Sequence, residues 1–250
     1  MTAARLYGLY YSPWTERARW ALDHEEVPYR FHHHVPMLGE PLLRWRGRRL
    51  GKGRVSVPLF VDGATTLGDS VEIMGHASRH GQGRLGADEP ETRAWAERVE
   101  PLLQAGRALV AARTLADREA LREAAMAASP AFFAGALRPV AALGARFIAR
   151  KYEADLDDEA RQIETMRDVC LTIREALEDE PSDRLTARAI LLATALQPVA
   201  AVADRHIPLK PATRGIWSTP ALAAELSDLL TWRDDLYDRF RKPPRARAAA

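Results

Sequence analysis

Strand-like character is confined to the first third of this 250-residue chain, and that asymmetry limits what it can build. Residues 5–11, Arg-Leu-Tyr-Gly-Leu-Tyr-Tyr, combine aromatic and aliphatic side chains and stop at Ser12-Pro13, which predicts a short buried strand. Ser12 suits a helix N-cap, and Pro13 suits the first helical position, where a missing N–H costs nothing. Trp14, Ala18, Ala21 and Leu22 then recur at helical spacing. Tyr29, Phe31, His33 and Val35 alternate, as a second strand would. Strand, helix and strand in this length make a βαβ unit.

An irregular basic stretch, Arg44 to Arg54, leads into Val55-Ser56-Val57-Pro58-Leu59-Phe60-Val61, then Asp62-Gly63 and Ala64 to Leu67. Two apolar runs around Asp-Gly predict a hairpin. Pro58 is the anomaly, because proline removes a ladder donor and is confined to edges or special turns. Asp69-Ser70-Val71-Glu72 has the form of a capping box that opens a further helix. From about residue 88 the chain is rich in Ala, Leu, Arg and Glu. Helices are predicted over Arg93–Ala112, Asp117–Ala128, Phe132–Lys151, Asp157–Asp179, Thr186–Ala203 and Pro220–Arg241. This divides the chain into a mixed α/β domain over residues 1–82, an all-helical domain over 88–243 and a disordered tail over 244–250.

Composition narrows the function. Lys and Arg total 36 against 34 Asp and Glu, so the net charge of +2 gives no overall case for nucleic acid. The arginines and lysine at 239, 241, 242, 245 and 247 are expected to be a frayed terminus. Cys170 is the only cysteine, so no intrachain disulfide forms and a reducing, cytoplasmic compartment is expected. It lies among Ile163, Met166, Val169 and Ile173, as a small core residue would. The opening residues lack the apolar core of a signal peptide. The longest apolar stretch, Ala189 to Ala203, is too short to span a bilayer and is broken by Gln197-Pro198, so no membrane partner is expected. His32-His33-His34 alternate between the faces of a strand and have no acid or cysteine close by in sequence. They are expected to be exposed, with no metal site.

The helix opening at Ser70 offers unpaired N–H groups and a partial positive charge to a carboxylate, with the Ser70 hydroxyl as an added donor and Asp69 for an ammonium group. If the Val57–Pro58 bond is cis, the backbone of Val57 turns outward to pair with a peptide. The helix opening at Ser12 favours an anion such as a thiolate. Together these sites describe a γ-linked peptide with a thiol at its middle.

Tyr11-Ser12-Pro13-Trp14-Thr15-Glu16-Arg17-Ala18-Arg19-Trp20-Ala21-Leu22, followed by Val27-Pro28-Tyr29, resembles the first strand and helix of the glutathione transferase superfamily. Val57-Pro58-Leu59 with Asp62-Gly63, then Asp69-Ser70-Val71-Glu72-Ile73, resembles that family's cis-proline hairpin and γ-glutamyl site. The similarity spans roughly residues 5–80. It implies a thioredoxin-like N-terminal domain, an all-α C-terminal domain, and glutathione as co-substrate. By the same resemblance Asp69 and Ser70 hold the γ-glutamyl group, Val57 and Pro58 the cysteinyl backbone, and Ser12 the sulfur. Tyr11 and Tyr10 are rival donors, Asp69-Ser70 also reads as a plain cap, and Arg54 or Lys52 suits the glycyl carboxylate.

Ser12-Pro13-Trp14-Thr15 stands where a redox Cys-x-x-Cys would, so disulfide exchange from this site is excluded. A serine-type role remains, in which a hydroxyl donates to the thiolate. Lowering a thiol pKa of about 8.5 by two units needs about 2.7 kcal/mol. One charge-assisted hydrogen bond of about 1.5–3 kcal/mol, with the helix end, is sufficient. The family also leads one to expect an acid in a capping box at the start of a core helix, and Thr186-Ala187-Arg188-Ala189 lacks it. Trp14, Trp95, Phe132, Phe133 and Trp217 are candidates for the second-substrate pocket or for core packing.

The expected function is a detoxification enzyme that activates glutathione to attack a hydrophobic electrophile, acting as a homodimer. The alternatives are a non-catalytic ligand carrier or scaffold of the same fold, and a glutathione-dependent isomerase or dehalogenase.

Overall fold

A computed structural model describes residues 4–51, 55–87, 89–128, 143, 146 and 158–241. Four short strands form one sheet: β1 (Arg5–Gly8), β2 (Arg30–His33), β3 (Leu59–Asp62) and β4 (Thr65–Leu67), in the order β2-β1-β3-β4. β2 runs parallel to β1 after a crossover through α1 (Pro13–His24), while β3 and β4 are antiparallel to their neighbours. Strand alternation sorts the side chains between two faces. Leu6 and Phe60 join Ala18, Leu22, Ile73 and Met74 under α1 and α3 (Ser70–His80). Tyr7 and Leu59 pack with Leu43 of α2 (Glu40–Arg46) on the other face. The sheet is thus covered on both sides, with the last three residues of α2 falling in the basic stretch that the sequence left irregular.

The strand predicted over residues 5–11 ends at Gly8, where the chain turns and Ser12 N donates to Leu9 O at 3.0 Å. Gly8 is required by packing: a Cβ there would lie 2.3 Å from Thr15 Cγ2, so the glycine lets α1 fold back tightly onto the strand. β3 starts one residue after Pro58, so the proline's missing N–H is outside the ladder. The Asp62-Gly63 hairpin is present, with Asp62 paired to Thr65 and Gly63 at φ 55.

The remaining described elements are helices: α4 (Glu89–Ala116), α5 (Arg118–Ala128), α6 (Glu159–Ala176), α7 (Ala187–Ala195), α8 (Pro211–Ile216), α9 (Pro220–Glu225) and α10 (Ser227–Phe240). Their core joins Leu102 and Leu103 of α4, Met166, Cys170 and Ile173 of α6, and Leu192 of α7. The helix expected over Thr186–Ala203 stops at Ala195, three residues before Pro198, which disfavours helix in the residue preceding it. The helix expected over Pro220–Arg241 is two, α9 and α10, separated at Leu226. The helix predicted over Phe132–Lys151 and the tail over 244–250 lie outside the described residues, as do Lys52, Arg54, Phe132 and Phe133.

The first turn of α7 has no acid, and Thr186 caps it alone, its side chain accepting from Ala189 N at 2.9 Å, while Glu180, six residues upstream, accepts from both Thr186 Oγ1 and Arg188 Nε. One further expectation needs correction. Arg241 is not part of a frayed terminus. Its Nε donates to Glu16 Oε1 at 2.6 Å and its Nη1 to Asp23 Oδ2 at 2.8 Å, with both Arg241 and Glu16 buried. The end of the helical half is thereby fixed to α1, and Tyr237 of α10 lies against Trp20 with ring centroids 4.3 Å apart.

Candidate functional site

Three chain segments leave the sheet at the same end. β1 finishes at Gly8, and β3 runs the opposite way, so its first residue, Leu59, pairs with Tyr7. β4 reverses once more and brings Leu67 opposite Phe60. The turn leading to Ser12, the Val57-Pro58 pair, and Gly68-Asp69-Ser70 therefore emerge along one edge. The Val57–Pro58 peptide bond is cis. Val57 is half-buried and Pro58 buried.

Two helix starts face this edge. Ser12 occupies the N-cap position of α1 with extended backbone angles, φ −78° and ψ 128°, and its carbonyl accepts from Glu16 N at 2.8 Å. Its side chain makes no capping hydrogen bond, contrary to what a serine in this place suggests, so the hydroxyl is not committed to the helix. Ser12 is 8% exposed. At α3, Asp69 is a true cap: Oδ1 accepts from Val71 N at 3.0 Å and from Glu72 N at 3.1 Å. Arg93 of α4 reaches the same oxygen at 3.5 Å. Ser70, the first residue of α3, is buried beside it.

The rival donors have a different setting. Burial, with Tyr10 as a lesser cause, pushes the Tyr11 phenol up to about 12. The Tyr10 phenol is also raised, by burial first and then by Glu123. Both rings stay protonated near neutral pH, and Tyr11 packs edge-on against Tyr10 and Trp217 at 5.1 and 6.1 Å. Arg54 and Lys52 lie outside the described residues. His34 corrects the exposed-histidine expectation: it is buried, with Nε2 3.3 Å from Glu40 Oε1. His32 stacks on Tyr7 at 4.9 Å, and no group of three or more potential metal ligands occurs among the described residues.

Residues 6–83 match the family model described as the N-terminal domain of glutathione S-transferase. The chain has the glutathione transferase fold. Among solved structures it is similar to a glutathione S-transferase from Methylobacterium radiotolerans, in complex with glutathione sulfonate (16% identity, covering 100% of this chain and 98% of that one, TM-score 0.60). It is also similar to a glutathione transferase from Phanerochaete chrysosporium (12% identity, 98% and 100% covered, TM-score 0.59). A third is glutathione transferase Omega 3C from Trametes versicolor (12% identity, 100% and 93% covered, TM-score 0.52). No curated protein matches the chain.

In this glutathione transferase fold the helical half grips the turn that carries Ser12. Gln197 Nε2 donates to Tyr11 O at 2.5 Å, and Trp14 Nε1 donates to Glu100 Oε2 at 3.1 Å. The Arg107 guanidinium lies 4.0 Å from the centre of the Trp14 ring and donates to Gln104 Oε1 at 3.0 Å, while Gln104 donates to Glu100. Arg17 is buried between the two halves and donates to Thr194 Oγ1 at 3.1 Å; burial lowers its pKa to about 10, against the pull of Glu100 and Asp69. The sequence did not single out Glu100, Gln104, Arg107, Gln197 or Arg17. Each is an ordinary polar or charged residue, four of them in helices and Gln197 in the turn after α7, and only the tertiary contact distinguishes it. Trp95 lies under Arg98 and Arg188, and Trp217 is buried.

Cys170 takes no part in this edge. Burial pushes its thiol up to about 12, with Arg174 pulling it down and Glu225 adding to the rise. Iodoacetamide at pH 8 is therefore expected to leave Cys170 unmodified in the native protein and to label it fully in denaturant, read by mass spectrometry. Fast labelling of the native chain would contradict this assignment.

Proposed function

We propose that the chain binds glutathione along this edge and activates its thiol for attack on a hydrophobic electrophile. The observation that carries the reading is the convergence of two helix starts and the cis Val57–Pro58 pair at one end of the sheet. The solved relative in complex with glutathione sulfonate supports the same ligand.

In this reading the γ-glutamyl carboxylate lies at the start of α3, with donors from its first turn and from Ser70, and Asp69 balances the ammonium group. The Val57 backbone pairs with the cysteinyl residue, and Arg54 is proposed for the glycyl carboxylate. The sulfur sits at the start of α1. The thiol proton leaves to solvent and the Ser12 hydroxyl donates a hydrogen bond to the thiolate, whose charge the helix end also favours. A sulfur lone pair then forms the C–S bond as the electrophile's leaving group departs, or as its π electrons shift away. Ser12 is preferred over Tyr10 and Tyr11 because it stands at the helix start with its hydroxyl outside the cap. The homodimer and the cytoplasmic setting belong to the same proposal, as do the domain bounds of 1–82 and 88–243.

Titrating glutathione into the protein at neutral pH, with thiolate absorbance as the readout, tests the activation step. A saturable thiolate signal is expected. Binding by calorimetry without that signal would instead identify a ligand carrier, and no binding at all would remove the proposal.

A further inference from the structure

Residues 38–50, none of which the glutathione reading uses, have an unusual surface. Leu38, Leu42, Trp45 and Leu50 are 61%, 51%, 51% and 38% exposed. They are four of the six large apolar side chains left exposed among the described residues, gathered within thirteen positions. Leu42 and Trp45, three positions apart on α2, lie on neighbouring parts of its surface away from the sheet that buries Leu43, and Leu38 lies in the turn that leads into the helix. Leu38 and Leu42 also border a pocket of about 310 Å³ shared with Val35 and Leu43.

The exposed charges that residues 37–51 themselves carry have one sign, and the nearby exposed acid is Asp62, beside the Gly63 carbonyl that accepts from Arg49 Nη1 at 2.9 Å. Arg44, Arg48 and Arg49 are exposed, and the guanidinium groups of Arg46 and Arg48 lie 4.4 and 4.8 Å from the Trp45 ring. The only acid between residues 37 and 51, Glu40, is buried against His34 and offers no balancing charge at the surface. The chain's nearly neutral total therefore hides a local cationic, apolar face.

We propose that this face docks peripherally on an anionic lipid surface, with Leu38, Leu42, Trp45 and Leu50 entering the headgroup region and the arginines pairing with phosphates. Exposed Leu and Trp interleaved with Arg are the composition of an interfacial helix. A nucleic acid would engage the arginines but leave the leucines in water. A second copy across a two-fold axis would set these arginines against their own equivalents. The expected absence of a membrane partner rested on the lack of a spanning segment, and no described helix is long and apolar enough to cross a membrane. Peripheral contact needs none.

The test is co-sedimentation of the full chain with vesicles of phosphatidylcholine alone or mixed with phosphatidylglycerol, without glutathione, so that it is independent of the thiol site. Binding to the mixed vesicles is expected to be at least about tenfold tighter than to the neutral ones and to fall in high salt. Leu42→Ser with Trp45→Ser, and separately Arg44→Gln with Arg48→Gln, should each weaken it by about tenfold or more. Three outcomes would overturn the proposal: equal or no binding to both vesicles, binding unchanged by the Leu42 and Trp45 replacements, or vesicle binding absent while the same variants abolish self-association or duplex DNA binding.

Discussion

Replacing Ser12 with alanine is expected to slow glutathione conjugation by about 10- to 100-fold, the loss of one charge-assisted hydrogen bond of about 1.5–3 kcal/mol. Affinity for glutathione should change little, because the proposed γ-glutamyl and cysteinyl contacts are elsewhere on the edge, at Ser70 and Val57. The signature is in the pH profile: the apparent pKa of the bound thiol should rise towards its free value of about 8.5, so part of the lost rate returns at alkaline pH. A merely structural role for Ser12 would lower stability and affinity together, with no shift in the profile. If Tyr11 were the donor, Tyr11→Phe would show that shift and Ser12→Ala would not. Tyr11 is a poor rival on geometry, since its half-buried ring is packed edge-on against Tyr10 and Trp217.

The second large effect concerns the junction of the two halves. Arg241→Ala is expected to destabilise the protein by about 3–5 kcal/mol, the cost of breaking a buried pair and leaving one charge behind. Glu16 is fully buried, and its carboxylate is shared between Arg241 and Arg19, the latter at 3.1 Å. Without Arg241 only Arg19 remains to compensate it. Asp23 also loses its partner but is partly exposed, so its share is smaller. Urea denaturation should show a lower midpoint, and Glu16→Gln combined with Arg241→Met should recover much of the loss, because no unpaired charge is then buried. A change below about 1 kcal/mol for Arg241→Ala would mean that the ion pair is solvated and the terminus loose. Because α1 carries both Ser12 and Glu16, this junction also anchors the helix whose start is proposed to hold the sulfur.

Local chemistry was legible in the sequence, and partners distant in the chain were not. The turn at Asp62-Gly63, the cap at Asp69 and the helix start at Ser12-Pro13 each depend on residues within four positions of one another, so composition alone locates them. The end of the sheet where these segments meet depends on strand order and direction, which the local residues do not give: β3 lies antiparallel beside β1, and β4 beside β3. The buried acids were invisible. Glu16 meets Arg241 across 225 positions. Glu25 accepts from Leu85 N at 2.5 Å and from Arg84 N at 3.1 Å to fix the link between the halves. Glu123 accepts from Ala212 N and Thr213 N, at 3.1 and 2.7 Å, to hold the start of α8. In sequence each of these glutamates looks like the solvated face of a helix. The same limit explains Arg241, whose basic neighbours suggested a loose end, and Gln197, which meets Tyr11 only after the helical half has packed.

The most direct measurement is a crystal structure of the protein grown with glutathione. The account predicts the tripeptide along the sheet edge, its sulfur within hydrogen-bonding distance of Ser12 Oγ, its cysteinyl backbone paired with Val57 and its γ-glutamyl carboxylate at Ser70. An empty edge at saturating glutathione, or a tripeptide bound with its sulfur away from the start of α1, would contradict it.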